Sequence, residues 1–204
     1  MSPGFLAKAY QARTQDETRD LYDAWSETYE DEVVEQGYAT PARCASALGQ
    51  FSDDLTLPVL DFGCGTGLSG EALAREGFRT IDGVDISEDM IAQARAKGVY
   101  RDLSVIEGDG GLAAKAANYS AVAAIGVIGA GAAPPTVFDE IMHGLPRGGL
   151  FVLSFNDHAL ADRSITGRMN EWLDCGAARC LFSEHGAHLP GIDLKSTVYV
   201  LRKS

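Results

Sequence analysis

The apolar positions of the chain follow two rhythms in succession. Near the start, Thr14 and Glu17 read as a capping box, and Leu21, Tyr22, Trp25 and Tyr29 follow along one face at helical spacing. A second helix is signalled by Thr40-Pro41, after which Cys44, Ala47, Leu48 and Phe51 recur at i, i+3, i+4 and i+7. From Pro58 the text changes to short apolar runs alternating with helical patterns. Strand-like runs at Pro58 to Phe62, Thr80 to Val84, Leu103 to Ile106, Tyr119 to Val127 and Gly149 to Phe155 are spaced by helical ones. The helices run from Gly67 to Glu76 with Gly77 as the stop, from Ser87 with Glu88 and Asp89 in the first turn, through Phe138, Ile141, Met142 and Leu145, and through Ile165, Met169, Trp172 and Leu173. Repeating β-α units predict a parallel α/β sheet, doubly wound with helices on both faces. The ending differs. Ala178 to Glu184 and Lys195 to Arg202 are strand-like and are joined by His188-Leu189-Pro190-Gly191-Ile192 with no helix, which is too short for a parallel crossover and forces antiparallel pairing. Gly129 to Pro135 reads as a loop.

Composition narrows the function classes. The 204 residues suffice for one domain with a buried core. A net charge of -12 and a pI near 4.6 repel phosphate backbones and anionic bilayers, so neither nucleic acid nor membrane is expected as a partner. No run reaches the roughly 18 apolar residues of a membrane span, and Met1-Ser2-Pro3-Gly4 lacks a signal-peptide pattern, which predicts a cytoplasmic protein. Four cysteines are too few for a disulfide scaffold. Cys175, Cys180, His185 and His188 lie near one another, but their spacing fits zinc poorly, and no metal is expected.

The chemistry concentrates at three strand ends. Val59-Leu60-Asp61-Phe62-Gly63-Cys64-Gly65-Thr66-Gly67 puts a carboxylate on a strand and then alternate glycines opening a helix, a turn that lets backbone approach a ligand closely. Asp85 ends the second strand 22 residues after Gly63, where an acid can take both hydroxyls of a ribose. Asp109, in Gly108-Asp109-Gly110, ends the third and can accept from an adenine amine. With Asp61, Gly63, Gly65 and Gly67 in this order, the sequence resembles the class I S-adenosylmethionine-dependent methyltransferases, and Tyr22 to Tyr29 with His188-Leu189-Pro190-Gly191 resembles more narrowly the methyltransferase-like proteins of the Williams–Beuren region type. The resemblance implies a Rossmann-like sheet whose last strand is reversed. It also implies S-adenosylmethionine as cofactor, with the glycine turn under its methionine part, Asp85 on its ribose and Asp109 by its adenine. Cys64, Ile86, Gly110 and Ile125 are expected to complete the binding residues. Residues 1–56 are expected to form a cap or lid, bringing Tyr22 and Trp25 onto the cofactor, over a core of residues 57–204.

Two other readings use the same residues. Gly65-x-Gly67-x-x-Gly70 followed by Asp85 also satisfies the dinucleotide pattern of nicotinamide oxidoreductases, although the charged Asp61 and the reversed last strand speak against it. Tyr199-x-x-x-Lys203 imitates a reductase pair, but on a strand-like tail. A non-catalytic nucleotide-binding module of the same fold is the other alternative. For methyl transfer, alignment of the acceptor is the main requirement and a general base is optional; Tyr22, Asp157 and His158 are candidates to deprotonate or orient the substrate. The lack of motifs for nucleic-acid amines or pyrimidine carbons favours a small-molecule acceptor.

Overall fold

The computed structural model of the chain describes residues 14–106, 111–129 and 132–204. Helices α1 (Gln15–Glu35) and α2 (Thr40–Phe51) precede strand β1 (Val59–Phe62); there follow α3 (Leu68–Glu76), β2 (Ile81–Asp85), α4 (Glu88–Ala96), β3 (Asp102–Val105), α5 (Leu112–Ala116), β4 (Ala121–Ala124), α6 (Thr136–Gly144), β5 (Leu150–Asn156), α7 (Asp157–Ala161), α8 (Arg163–Asp174), β6 (Ala178–Leu189) and β7 (Leu194–Lys203). The capping box forms: Thr14 Oγ1 accepts from the Glu17 N–H at 3.2 Å, and the Glu17 carboxylate accepts from the Thr14 N–H at 3.3 Å.

The sheet has the order β3-β2-β1-β4-β5-β7-β6. Its first five strands are parallel, and β7 inserts between β5 and β6, antiparallel to both; the short final connection accounts for its antiparallel pairing with β6. Helices cover both faces. On one, Phe138, Ile141 and Met142 of α6 with Ile165 and Met169 of α8 pack on Leu60, Val122, Phe151 and Leu153; on the other, Cys44 and Leu48 of α2 with Leu73 of α3 pack on Val59, Ala121, Val152 and Val198. Consecutive strand residues alternate between these two cores, which is why the inner strands read as unbroken apolar runs.

The two N-terminal helices take different places. Helix α2 belongs to a sheet-covering layer, whereas α1 lies against α4 through polar contacts: Ser87 Oγ donates to Asp23, Gln93 Nε2 donates to the Ser26 carbonyl at 2.7 Å, and Lys97 Nζ pairs with Glu30 at 2.9 Å and Glu71 at 3.2 Å.

Three elements depart from the sequence reading. Helix α5 is short and Ala-rich, too brief for a periodic signal, and its buried Leu112 and Ala116 face the core. Directly after strand five, Asp157 and His158 begin a short helix α7 that the periodicity did not signal, capped by Asn156, whose side chain accepts from the Ala159 N–H at 2.9 Å. Strand β6 runs on to Leu189, because His188 is buried against α2. The turn that remains is a single 3-10 turn at Pro190–Ile192. Among the described residues no helix is long and apolar enough to cross a membrane.

Candidate functional site

The strand order reverses between β1 and β4, and open α/β sheets leave a crevice beyond the strand ends at such a switch. Here the crevice is a cleft of about 300 Å³. Gly63, Gly65, Asp85, Ile86 and Ile125 line it from the sheet side, and Thr18, Tyr22 and Tyr29 from α1.

The glycine turn is shaped by positive φ angles of 68° at Gly63 and 52° at Gly65. A Cβ at Gly63 would stand 2.2 Å from Val127 Cγ2, whereas one at Gly65 would meet nothing within 4 Å and point into open space. The Asp85 carboxylate ties this turn to the next helix, accepting from the Gly65 N–H at 2.9 Å and from the Ser87 N–H at 3.0 Å. Burial raises its pKa, against the lowering effect of those N–H groups.

Asp61 sits fully buried behind the turn. Its Oδ2 accepts from Ser69 Oγ at 2.6 Å and from Tyr100 Oη at 2.7 Å, while its Oδ1 is buried with no partner among the described residues. Burial pushes the carboxyl up to about 6, and the Asp85 charge adds to this against the two hydroxyls. A buried carboxylate oxygen left open is costly unless a donor arrives, and a ligand ammonium suits it.

Tyr100 also explains Gly70. Its hydroxyl accepts from the Gly70 N–H at 3.1 Å, and a Cβ there would lie 2.2 Å from the ring, so this glycine makes room for a tyrosine of the protein itself. The dinucleotide-like spacing therefore has a local packing cause.

A smaller cavity of about 80 Å³ adjoins the cleft, and Tyr22, Tyr29, Gly126 and Ala132 line both. Its own walls include Trp25, Tyr38, Asn156, His158 and His188. The aromatic rings of α1 interlock, Trp25 and Tyr29 edge to face with centroids 4.9 Å apart.

The chain resembles known proteins in the same region. The family described as "Methyltransferase domain" matches residues 59–149, which run from the start of β1 through α6. Human methyltransferase-like protein 27 is 33% identical over 142 residues, 66% of this chain and 56% of that protein. Over this region the chain is similar to the class I S-adenosylmethionine-dependent methyltransferases. The 18S rRNA (guanine(1575)-N(7))-methyltransferase of Saccharomyces cerevisiae is 37% identical over 70 residues, 34% of this chain and 26% of that one. The chain thus spans about half, or less, of the length of these relatives. Two solved structures share the fold: the [4+2]-cyclase SpnF, with a TM-score of 0.67 and 16% identity over 94% of this chain and 97% of that one, and a methyltransferase from Geobacter sulfurreducens in complex with S-adenosylhomocysteine, with 0.58 and 15% over 79% and 91%. The cofactor of the methyltransferase family is S-adenosylmethionine.

Against this frame the sequence-expected residues separate. Tyr22, Gly63, Gly65, Asp85, Ile86 and Ile125 line the cleft, and Trp25 and His158 line the smaller cavity. Cys64 turns its thiol into a small core with Ile91, Ala94 and Leu103, and Gly67 lies against Lys97, Ala94 and Tyr100. Asp157 is exposed, accepting from the Lys195 N–H at 3.2 Å. Asp109 and Gly110 lie outside the described residues. Sequence reasoning missed Tyr38 and Tyr100, which carry no local motif, and it read His188 as part of a turn, of a poorly spaced zinc cluster and of the family resemblance, without placing it in the site. Among the described residues no three His, Cys, Asp or Glu side chains group as a metal site.

Proposed function

We propose that this chain binds S-adenosylmethionine in the larger cleft and transfers its methyl group to a small molecule seated in the adjoining cavity. The observation that carries the reading is the cleft wall. Gly65 offers bare backbone, Asp85 offers a carboxylate at the end of β2, and Asp61 Oδ1 lies behind them with no donor among the described residues. Gly63 and Gly65 would pass under the methionine part, Asp61 would face its ammonium and Asp85 its ribose. Ile86 and Ile125 would pack beside the adenosine. Asp109 and Gly110 are proposed for the adenine end on the strength of the family resemblance alone.

When bound, the cofactor supplies a sulfonium that activates its own methyl group. The chain's residues then have to exclude water and hold the acceptor in line. Helix α1, the part of the proposed cap of residues 1–56 that lies over the cleft, contributes Tyr22 and Tyr29 to the wall shared by the two spaces. His158 and Tyr22 stand where an acceptor would be oriented. A cavity of about 80 Å³ lined in part by aromatic rings suits a small acceptor group, and the surplus of acidic residues disfavours a polyanionic one.

The test is calorimetric titration with S-adenosylmethionine, S-adenosylhomocysteine, NAD and NADP. The first two should bind and the nicotinamide dinucleotides should not; binding of NAD or NADP alone would overturn the reading. Methyl transfer from labelled cofactor, assayed in parallel on metabolite fractions and on total RNA, should label only the former.

A further inference from the structure

The smaller cavity has one feature that selects among acceptors. His188 lies on its wall, 7% exposed, with its ring edge to face against Tyr38 at 5.3 Å between centroids. Its Nδ1 faces Thr40 Oγ1 at 2.7 Å, Thr40 Oγ1 faces Ser196 Oγ at 3.0 Å, and Arg43 Nη1 donates to Ser196 Oγ at 3.1 Å. Thr40 and Ser196 are fully buried.

The direction of this chain follows from the inventory of protons. A guanidinium only donates, so Ser196 Oγ accepts from Arg43. Among the described residues the Ser196 hydroxyl proton then has one acceptor within reach, Thr40 Oγ1, and the Thr40 proton is left for His188 Nδ1. The opposite direction would strand the Ser196 proton in a dry site, at the cost of an unsatisfied buried donor. Nδ1 is therefore an acceptor, and the single proton of a neutral imidazole sits on Nε2. Neutrality is consistent with the surroundings, since burial and then the Arg43 charge bring the ring down to about 4. The cavity walls contain no Asp, Glu, Lys or Arg among the described residues; the other imidazole, His158, is exposed.

We propose that Arg43, Ser196 and Thr40 lock His188 as a neutral Nε2–H donor, and that the cavity consequently admits the uncharged end of an acceptor, held through an oxygen such as a carbonyl or un-ionised hydroxyl. His188 is thus a specificity-determining residue and not a base. A cation is refused by the donor, and an anion finds no countercharge on the walls. The proposal rests on the assignment of the smaller cavity to the acceptor.

The experiment uses the whole chain saturated with S-adenosylhomocysteine. Long-range ¹H–¹⁵N spectra of histidine-labelled protein should show His188 with a protonated Nε2 and a bare Nδ1 at neutral pH; a protonated Nδ1 or an imidazolium would overturn the lock. Three probes of one shape, acetamide, acetate and acetamidinium, are then titrated while the His188 and Trp25 side-chain signals are followed. Acetamide should bind best, by about tenfold, the worth of one hydrogen bond. Preference for acetamidinium would mean that the aromatic walls select cations and would sink the proposal. His188→Gln, which keeps a donor near Nε2, should retain acetamide binding, His188→Leu should lose it, and Ser196→Ala should mix the two tautomers. Failure of S-adenosylhomocysteine to bind would strike the cofactor reading; intact cofactor binding with indifferent probes would strike this inference alone.

Discussion

Asp61 is the buried carboxyl behind the glycine turn. Its carboxyl titrates near 6 instead of the ordinary 3.8, because burial disfavours the charged form. With the folded value raised, the stabilisation it gives is complete below about pH 4 and is lost as pH rises through about 6. At neutral pH the ligand-free protein therefore carries a buried charge worth up to about 3 kcal/mol of lost stability. A cationic ammonium at Oδ1, as proposed, would reverse that balance. S-adenosylhomocysteine affinity should accordingly rise between pH 5 and pH 7, and Asp61→Asn should flatten the slope; calorimetry across that range, with the same slope in both proteins, would refute the pairing. For Asp85→Asn the expected loss is on the order of tenfold to a hundredfold in cofactor affinity, since hydrogen bonds to a charged group are worth about 1.5 to 3 kcal/mol each. Circular dichroism should show the variant folded, the amide oxygen still accepting from one of the two N–H groups.

At the scale of elements, the informative case is α1. Its aromatic face is packed, with Trp25 1% exposed, and its seam with α4 includes hydrogen bonds and ion pairs. Such seams open more readily than cores, because their groups are also satisfied by water. Ligand in the cleft would add contacts with Thr18, Tyr22 and Tyr29. Amide exchange between Thr14 and Tyr38 should therefore slow when S-adenosylhomocysteine binds, and Lys97→Ala should speed it in the free protein by severing Glu30 and Glu71 from α4. Equal protection with and without ligand would make α1 a fixed part of the core. The glycine of α3 belongs to the same scale. Gly70→Ala should destabilise by about 1–3 kcal/mol, the cost of overpacking against Tyr100, and Tyr100→Phe should recover only part of this, since removal of the hydroxyl leaves Asp61 Oδ2 one donor short. Thermal melts of the two single variants and the double variant measure that coupling.

For the molecule as a whole, ligand binding and stability are linked. S-adenosylhomocysteine at a hundred times its Kd should stabilise the fold by about 2.7 kcal/mol. For a domain of this size that raises Tm by roughly 5–10 °C, and NAD at the same concentration should leave Tm unchanged. The sequence by itself determined the alternation of strands and helices, the antiparallel final pair, the glycine turn and Asp85 at the end of β2. Each of these follows from local spacing: a period of 2 or 3.6, a connection too short for a crossover, a backbone position open only to glycine. It could not show that α2 joins the sheet layer while α1 covers the cleft, because both helices present the same amphipathic pattern and only the partner surface differs. Nor could it show Tyr100 behind Gly70, or His188 against Thr40 across 148 positions of chain. Those contacts carry no periodic signal, since a side chain's charge state and hydrogen-bond direction depend on neighbours that only the folded sheet brings within reach.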